Sequence, residues 1–451
     1  MNLEEKLYNI YADNKDKLNM DIPDFIREYA DIAANSIIKN GIPDKSYENY
    51  KYSDFSGFLN NGLEYSLEPE KTNIDLNEYW QCQVPDMDTQ VILLSNAWYY
   101  EKNNLENKFP KGVIVCGLRE AFVKYPEIVK KHYSKYLPQN KDGYIDLNTA
   151  IARDGVFIYV PKGVKIDKTI QLVNLIHGFA NRAVMQRNLV VLEEDASLRM
   201  IICDHTLNRT QNFINSLTES YIGKNAHLEY YSIQNEPDTA ALLNTLCFYQ
   251  EANSHLTNLA FSLHGGSLRN NVYSTLAGER AHSNLYGLFL SDKKQRVDNY
   301  TYIDHKAPTC TSNELYKGIL DDNARGAFSG KIMVRPDAQK TEAYQTNNNL
   351  CLTDTAKMRT KPQLEIYADD VKCSHGATVG QLDQEALFYL QSRGISKKEA
   401  KLMLMFAFAN DIVRNIPVIP LKEQISGLVD NRLRGEFTEC KHCLLNCSRN
   451  R

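Results

Sequence analysis

The sequence predicts a mainly β protein: a parallel β-helix core set between an N-terminal helical or mixed domain and a C-terminal helical domain. Two observations carry this expectation. Between about Gly155 and Ala377 the chain reads as short alternating strands broken by regularly spaced turn signals, with no helical pattern between them. Within that stretch one turn element recurs, a polar pair followed by a small residue and a return to alternation. It occurs as Glu194-Asp195-Ala196, Lys224-Asn225-Ala226, Ala252-Asn253-Ser254, Glu279-Arg280-Ala281 and Asp322-Asn323-Ala324. The first four small residues lie 30, 28 and 27 residues apart, and the last step is longer. A period of this length marks stacked coils, each burying its apolar face against its neighbours. A β-sandwich is the competing fold, because strands at eight-to-twelve-residue spacing imitate the pattern.

The elements follow in order. Residues 1–150 form the helical or mixed domain. Asp21-Ile-Pro23 opens a helix, Phe25, Tyr29, Ile32, Ala33 and Ile37 recur at helical spacing, and Gly41-Ile-Pro43 closes it. Leu118 to Tyr136 reads as a helix pair around Pro126. Residues 151–380 form the coil core, in which His227, His255 and His282 fall at turns and read as rim residues. Residues 381–435 turn helical again. Asp383 to Ser392 is a short helix stopped at Gly394, Ser396 and Glu399 are spaced as a capping box, and a last helix ends at Gly435. The run Leu402 to Ala409 is apolar on every side, which predicts burial on every side. Such a helix either meets a partner protein or seals one end of the β-helix. Residues 436–451 form a cysteine-rich tail.

Composition excludes several classes. Net charge is -4 with 24% charged residues of both signs, and no basic stripe suits nucleic acid. The N-terminus Met1-Asn-Leu-Glu-Glu-Lys-Leu7 lacks an apolar signal core, and the longest apolar runs are too short to span a bilayer. The expected location is the cytoplasm, where ten cysteines are mostly free thiols. Cys82, Cys116, Cys203, Cys247 and Cys310 read as core thiols. Cys440, Cys443 and Cys447 have metal-ligand spacing, but no second knuckle closes a zinc site around them.

The densest chemistry lies at Asp369-Asp370-Val371-Lys372-Cys373-Ser374-His375-Gly376. On a strand, Asp369, Val371, Cys373 and His375 share one face. A thiol and an imidazole two residues apart on that face can reach one metal ion or one sulfur species. They can equally be a buried thiol and a turn histidine satisfying backbone groups. An enzyme acting on polysaccharide from a β-helix is the rival reading, but adjacent Asp369 and Asp370 face opposite ways on a strand and make a poor acid–base dyad. No Gly-x-x-x-x-Gly-Lys-Ser/Thr loop occurs, so no nucleotide is expected on this chain.

Asn148 to Gly163, Gln345 to Leu352, Pro362 to Gly380 and Leu387 to Ile395 resemble the SufB/SufD family of iron–sulfur cluster assembly scaffolds. The likeness is to its SufD branch rather than to SufB. Gly41 to Tyr52 is similar to that branch's N-terminal motif, with Tyr50 where tryptophan is usual. The resemblance reaches Gly435 and leaves out the tail. It implies a right-handed parallel β-helix and a non-catalytic scaffold. It implies pairing with SufB and binding of the ATPase SufC through the C-terminal helices, and leaves open whether the isolated chain forms a homodimer. His375 is then the interface histidine, a metal ligand shared with SufB, with Cys373 beside it. A transient iron–sulfur cluster is assembled there. Leu402, Met403, Phe406 and Ala407 become the expected SufC contacts. Asparagine occupies the position where SufB carries its ligand cysteine, in the segment Asn347-Asn-Asn-Leu-Cys351, and Cys351 is expected to point into the core. A SufB-like role is the nearest alternative within the family, and the missing cysteine argues against it.

Overall fold

The structure is a computed structural model that describes residues 1–70, 84, 86–100, 105, 108–139, 142–207 and 210–435. Its centre is a parallel β-solenoid of about eight turns. From Val156 onward successive strands alternate between two sheets, so each coil contributes one strand to each. The first sheet runs from Ile114–Gly117 to Lys357–Ile366, and the second from Trp98–Tyr99 to Lys372–Gly380. Pairing is parallel throughout except at the N-terminal end, where Ile114–Gly117 and Trp98–Tyr99 are added antiparallel.

The recurring turn is the corner by which the chain enters the second sheet. Asp195, Asn225, Asn253 and Arg280 stand at φ 59, 57, 55 and 59°. This is the left-handed region that Asn and Asp tolerate best. The next residue (Ala196, Ala226, Ser254 or Ala281) is fully buried, and only a small side chain fits inside that bend. Each corner also bonds to the next: Asp195 N donates to Lys224 O at 2.9 Å and Asn225 N to Ala252 O at 2.9 Å.

The fifth sequence match belongs to the opposite corner. Asp322-Asn323-Ala324 leads into Arg325–Val334 of the first sheet. The fifth corner of the second sheet is Pro308-Thr309-Cys310, with Thr309 at φ 57° and Cys310 fully buried. There the period is kept: His282 and Thr311, just after their corners, are 29 residues apart and hydrogen bonded. The long last step in the sequence was a change of corner.

Both sheets are covered on their outer faces. Helices Leu3–Asp13, Asp24–Asn40 and Gly143–Ile151 pack on Ala183, Met185, Phe213, Ala241 and Leu243 of the first sheet. Asp24–Asn40 buries Ile26, Ala30, Ala33, Ala34 and Ile37. That stripe corrects the expected one, since Ile32 is 68% exposed. Leu118–Lys124 and Pro126–His132 form the expected helix pair. Tyr50 is buried, donates its hydroxyl to Asp142 Oδ2 at 2.7 Å and lies under the Arg269 guanidinium at 3.9 Å. The motif around it is thus a rivet between helical layer and coil. Cys116, Cys203, Cys247 and Cys310 are buried, as expected of core cysteines, and Cys82 lies outside the described residues.

Helices Gln384–Ser392, Lys397–Val413 and Ile419–Arg434 form the C-terminal layer. They pack on the outer face of the second sheet, with Leu402, Met405, Ala409 and Ile412 meeting Tyr231, Phe261 and Leu288. Lys317 of the sheet reaches Asp411 at 2.5 Å and the Phe408 carbonyl at 3.1 Å. Two expectations are corrected here. The layer does not seal an end of the coil. The helix Lys397–Val413 is not buried all round either: Met403 is 45% exposed and Ala407 is exposed. A single layer of helices covers only the side that faces the sheet. Ser396 caps that helix by accepting from Glu399 N at 3.2 Å, but the Glu399 carboxylate binds Arg434 instead of returning to the cap.

Candidate functional site

The C-terminal end of the solenoid is open. Among the described residues Lys372–Gly380 pairs only with Glu342–Cys351, and Lys357–Ile366 only with Arg325–Val334. Each therefore leaves one edge of backbone donors and acceptors unpaired, which is a template for another chain. Within Lys372–Gly380 only Cys373 is even half-buried. Strands two rungs deeper, such as Thr311–Leu320, are buried at most positions.

Side chains on successive rungs stack in columns. His375 is the exposed top of one: its Cα pairs with Gln345, and that of Gln345 with Glu314. Both lower members are buried inside the coil, so the imidazole stands over the lumen at its mouth. Cys373 shares that face, paired with buried Ala343, and packs against the inner core. Burial, partly offset by the Ala343 backbone, pushes its thiol up, which makes it the poorer ligand of the two. The expected strand face is shorter than drawn, because Asp369 and Asp370 lie in the bend before the strand begins at Lys372. Asp370 serves that bend with its backbone, accepting from Lys340 N at 2.6 Å and donating to Gln339 Oε1 at 2.9 Å.

Asn347 is fully buried and donates to Tyr316 O at 3.2 Å, so no thiolate occupies that lumen position. Cys351 is half-buried against the inner core, as expected, and burial raises its thiol pKa. Among the described residues no three His, Cys, Asp or Glu side chains converge as a metal site. Of the four residues expected to meet a partner on the C-terminal layer, Met403 and Ala407 are exposed and Phe406 is half-buried. Leu402 is 7% exposed and packs inward, which removes it as a contact. On the neighbouring helix Phe388 and Tyr389 are 73% and 57% exposed.

Residues 174–408 match the family model described as SUF system FeS cluster assembly, SufBD core domain, and residues 1–172 match SufBD protein N-terminal region. The chain belongs to the SufB/SufD family. It is 29% identical to the iron–sulfur cluster assembly protein SufD of Escherichia coli, over 88% of this chain and 91% of that protein. A SufBD family protein of Synechocystis is 28% identical over 87% of each chain, and one from Staphylococcus aureus is 26% identical over 74% of this chain and 73% of its own length. These relatives give this SufB/SufD member a role in iron–sulfur cluster assembly. Among the described residues no helix is long and apolar enough to cross a membrane.

His227 and His255 stack at 4.6 Å between ring centroids and His282 follows at 5.6 Å, a ladder on the outer rim of the coil. Cys440, Cys443 and Cys447 lie outside the described residues. The polar pair beneath His375, Gln345 and Glu314, was not singled out from the sequence. Stepping back one coil period from His375 lands on Gln345, and that was the available signal.

Proposed function

We propose that this chain is a SufD-type, non-catalytic scaffold subunit. It pairs with a SufB-type chain through the open end of its β-helix and binds a SufC-type ATPase through its C-terminal helices. The observation that carries this reading is the exposure of His375 on the last, half-paired strand of the coil. Iron–sulfur clusters are held mainly by cysteine and in some cases by histidine. An imidazole at the mouth supplies one ligand, and a cysteine of the partner supplies another. A cluster shared between two chains is given up when one chain moves against the other, and ATP hydrolysis by the SufC-type chain supplies that motion. The cluster is cargo, not a resident cofactor, and no nucleotide binds this chain. The setting is the cytoplasm.

The test is co-expression with SufB-type and SufC-type partners. His375→Ala should keep the fold and the complex but cut cluster yield at least tenfold, read by absorbance and iron content. Wild-type yield in a folded variant rejects the role. Met403→Asp should weaken capture of the SufC-type ATPase by about tenfold, since it puts a charge on an exposed apolar face. Unchanged capture assigns that helix to internal packing alone.

A further inference from the structure

The lumen beneath His375 holds an amide with one end tied and one end free. Gln345 is 1% exposed. Its Nε2 donates to Glu314 Oε2 at 2.6 Å, while its Oε1 is buried without a hydrogen-bond partner. A buried acceptor left without a donor is energetically costly. The amide is also held from the side. A Cβ at Gly330, on the facing sheet, would lie 2.4 Å from Gln345 Nε2 and 2.8 Å from its carboxamide carbon. Glycine at position 330 is thus what leaves room for the side chain. Glu314 itself is 3% exposed, with Oε1 unpartnered. Burial pushes its carboxyl up to about 7, against lowering by Thr301 and Gln345.

The next residue in the column is His375, one strand spacing of about 4.8 Å away. Its side chain is exposed, and its imidazole makes no hydrogen bond among the described residues. A histidine that ligates metal almost always donates its second N–H to a carboxylate or carbonyl, which fixes the tautomer and ring orientation. Directly beneath it in the column stands the tied amide of Gln345.

We propose that Gln345 is a positioning residue for His375: its free Oε1 accepts the imidazole's inward N–H, so that the other ring nitrogen presents its lone pair at the mouth of the coil. Glu314 orients the amide from below and Gly330 makes the space for it. The inference rests on the reading of His375 as a ligand for the assembling cluster.

The test is nitrogen-15 NMR of the [15N]histidine-labelled full-length chain at pH 8, with His375 assigned by its loss in His375→Ala. At that pH Glu314, which burial pushes up to about 7, is ionised, so the amide nitrogen faces the carboxylate. The wild type should show a single tautomer, one ring nitrogen protonated and the other not. Gln345→Met and Gly330→Ala should both shift His375 to the averaged signals of a free imidazole, with far-ultraviolet circular dichroism unchanged. Averaged signals in the wild type, or wild-type signals in Gln345→Met, overturn the inference. The wild-type measurement decides even if a variant fails to fold. If the tautomer is fixed as expected while His375→Ala assembles clusters at full yield, the hydrogen bond stands and the ligand reading falls.

Discussion

The two ends of the coil meet their surroundings on different terms. At the N-terminal end the strand Thr89–Ser95 is almost wholly buried and turns back through Asn96 and Ala97, at φ 48 and 70°, into the antiparallel Trp98–Tyr99. Two left-handed residues in a two-residue loop are what a tight hairpin needs. The helices Leu118–Lys124 and Pro126–His132 then pack on Phe157, Leu189 and Val191. At the C-terminal end the helices that follow Lys372–Gly380 pack on the outer face of the second sheet, and none of that strand's residues is buried. An uncovered edge is a liability that folds ordinarily blunt. Its retention here, on the strand that carries His375, sets this end apart from the covered one.

That contrast predicts the largest stability losses near the closed end. Arg187 and Glu219 form a fully buried pair at 2.5 Å. Glu219 also accepts from Ser134 N at 2.8 Å and Tyr136 N at 3.0 Å, tying the helical layer to the first sheet. Glu219→Ala leaves Arg187 charged and unpaired in the core, which costs about 3–5 kcal/mol. Chemical denaturation should show that loss, and a change under about 1 kcal/mol would break the assignment of stability to this end.

A smaller effect sharpens the comparison in the middle of the coil. Glu236 is 1% exposed, and burial, with the Asp204 charge second, pushes its carboxyl up to about 8. Its folded pKa exceeds the ordinary value of 4.5, so the native state holds the proton more tightly than the unfolded chain. The stability it contributes is complete below about pH 4.5 and is lost as pH rises through about 8. Over that range the wild type should lose on the order of a few kcal/mol relative to Glu236→Gln. Parallel pH profiles of denaturation for the two proteins would contradict a buried, protonated Glu236.

The coil was legible because each corner imposes two local demands, a left-handed residue and a small buried one, and both leave a mark in the sequence. The same demands operate at the opposite corner, so Asp322-Asn323-Ala324 was read into the wrong column, while Thr309-Cys310 meets them with residues that give no polar signal. The helix Lys397–Val413 was misjudged for a different reason. Its covered and uncovered sides are both apolar, so periodicity cannot tell Leu402, packed inward, from Met403, turned out. His375 stood out by its own motif, and the structure places it exposed on the last strand. Gln345 and Glu314 did not stand out, because stacking between rungs joins residues about thirty apart, and only the register reveals which ones meet.

The smallest effect on stability should accompany the largest effect on association. Gly376 follows His375 on the open strand, and a Cβ there meets nothing within 4 Å. Gly376→Lys therefore places a long charged side chain into solvent in the isolated chain, and β-propensity offsets the lost glycine freedom. Its denaturation midpoint should stay within about 0.5 kcal/mol of wild type, as for other substitutions on an open surface. Lysine on an edge strand is also the ordinary device for keeping another strand away. Pairing through this end should then fall by at least tenfold, measured by analytical ultracentrifugation with a SufB-type partner, while capture of a SufC-type ATPase by the C-terminal helices is unchanged. Intact pairing in Gly376→Lys would move the interface off the open edge, and the reason for leaving that edge uncovered would have to be sought on the Lys357–Ile366 side of the mouth.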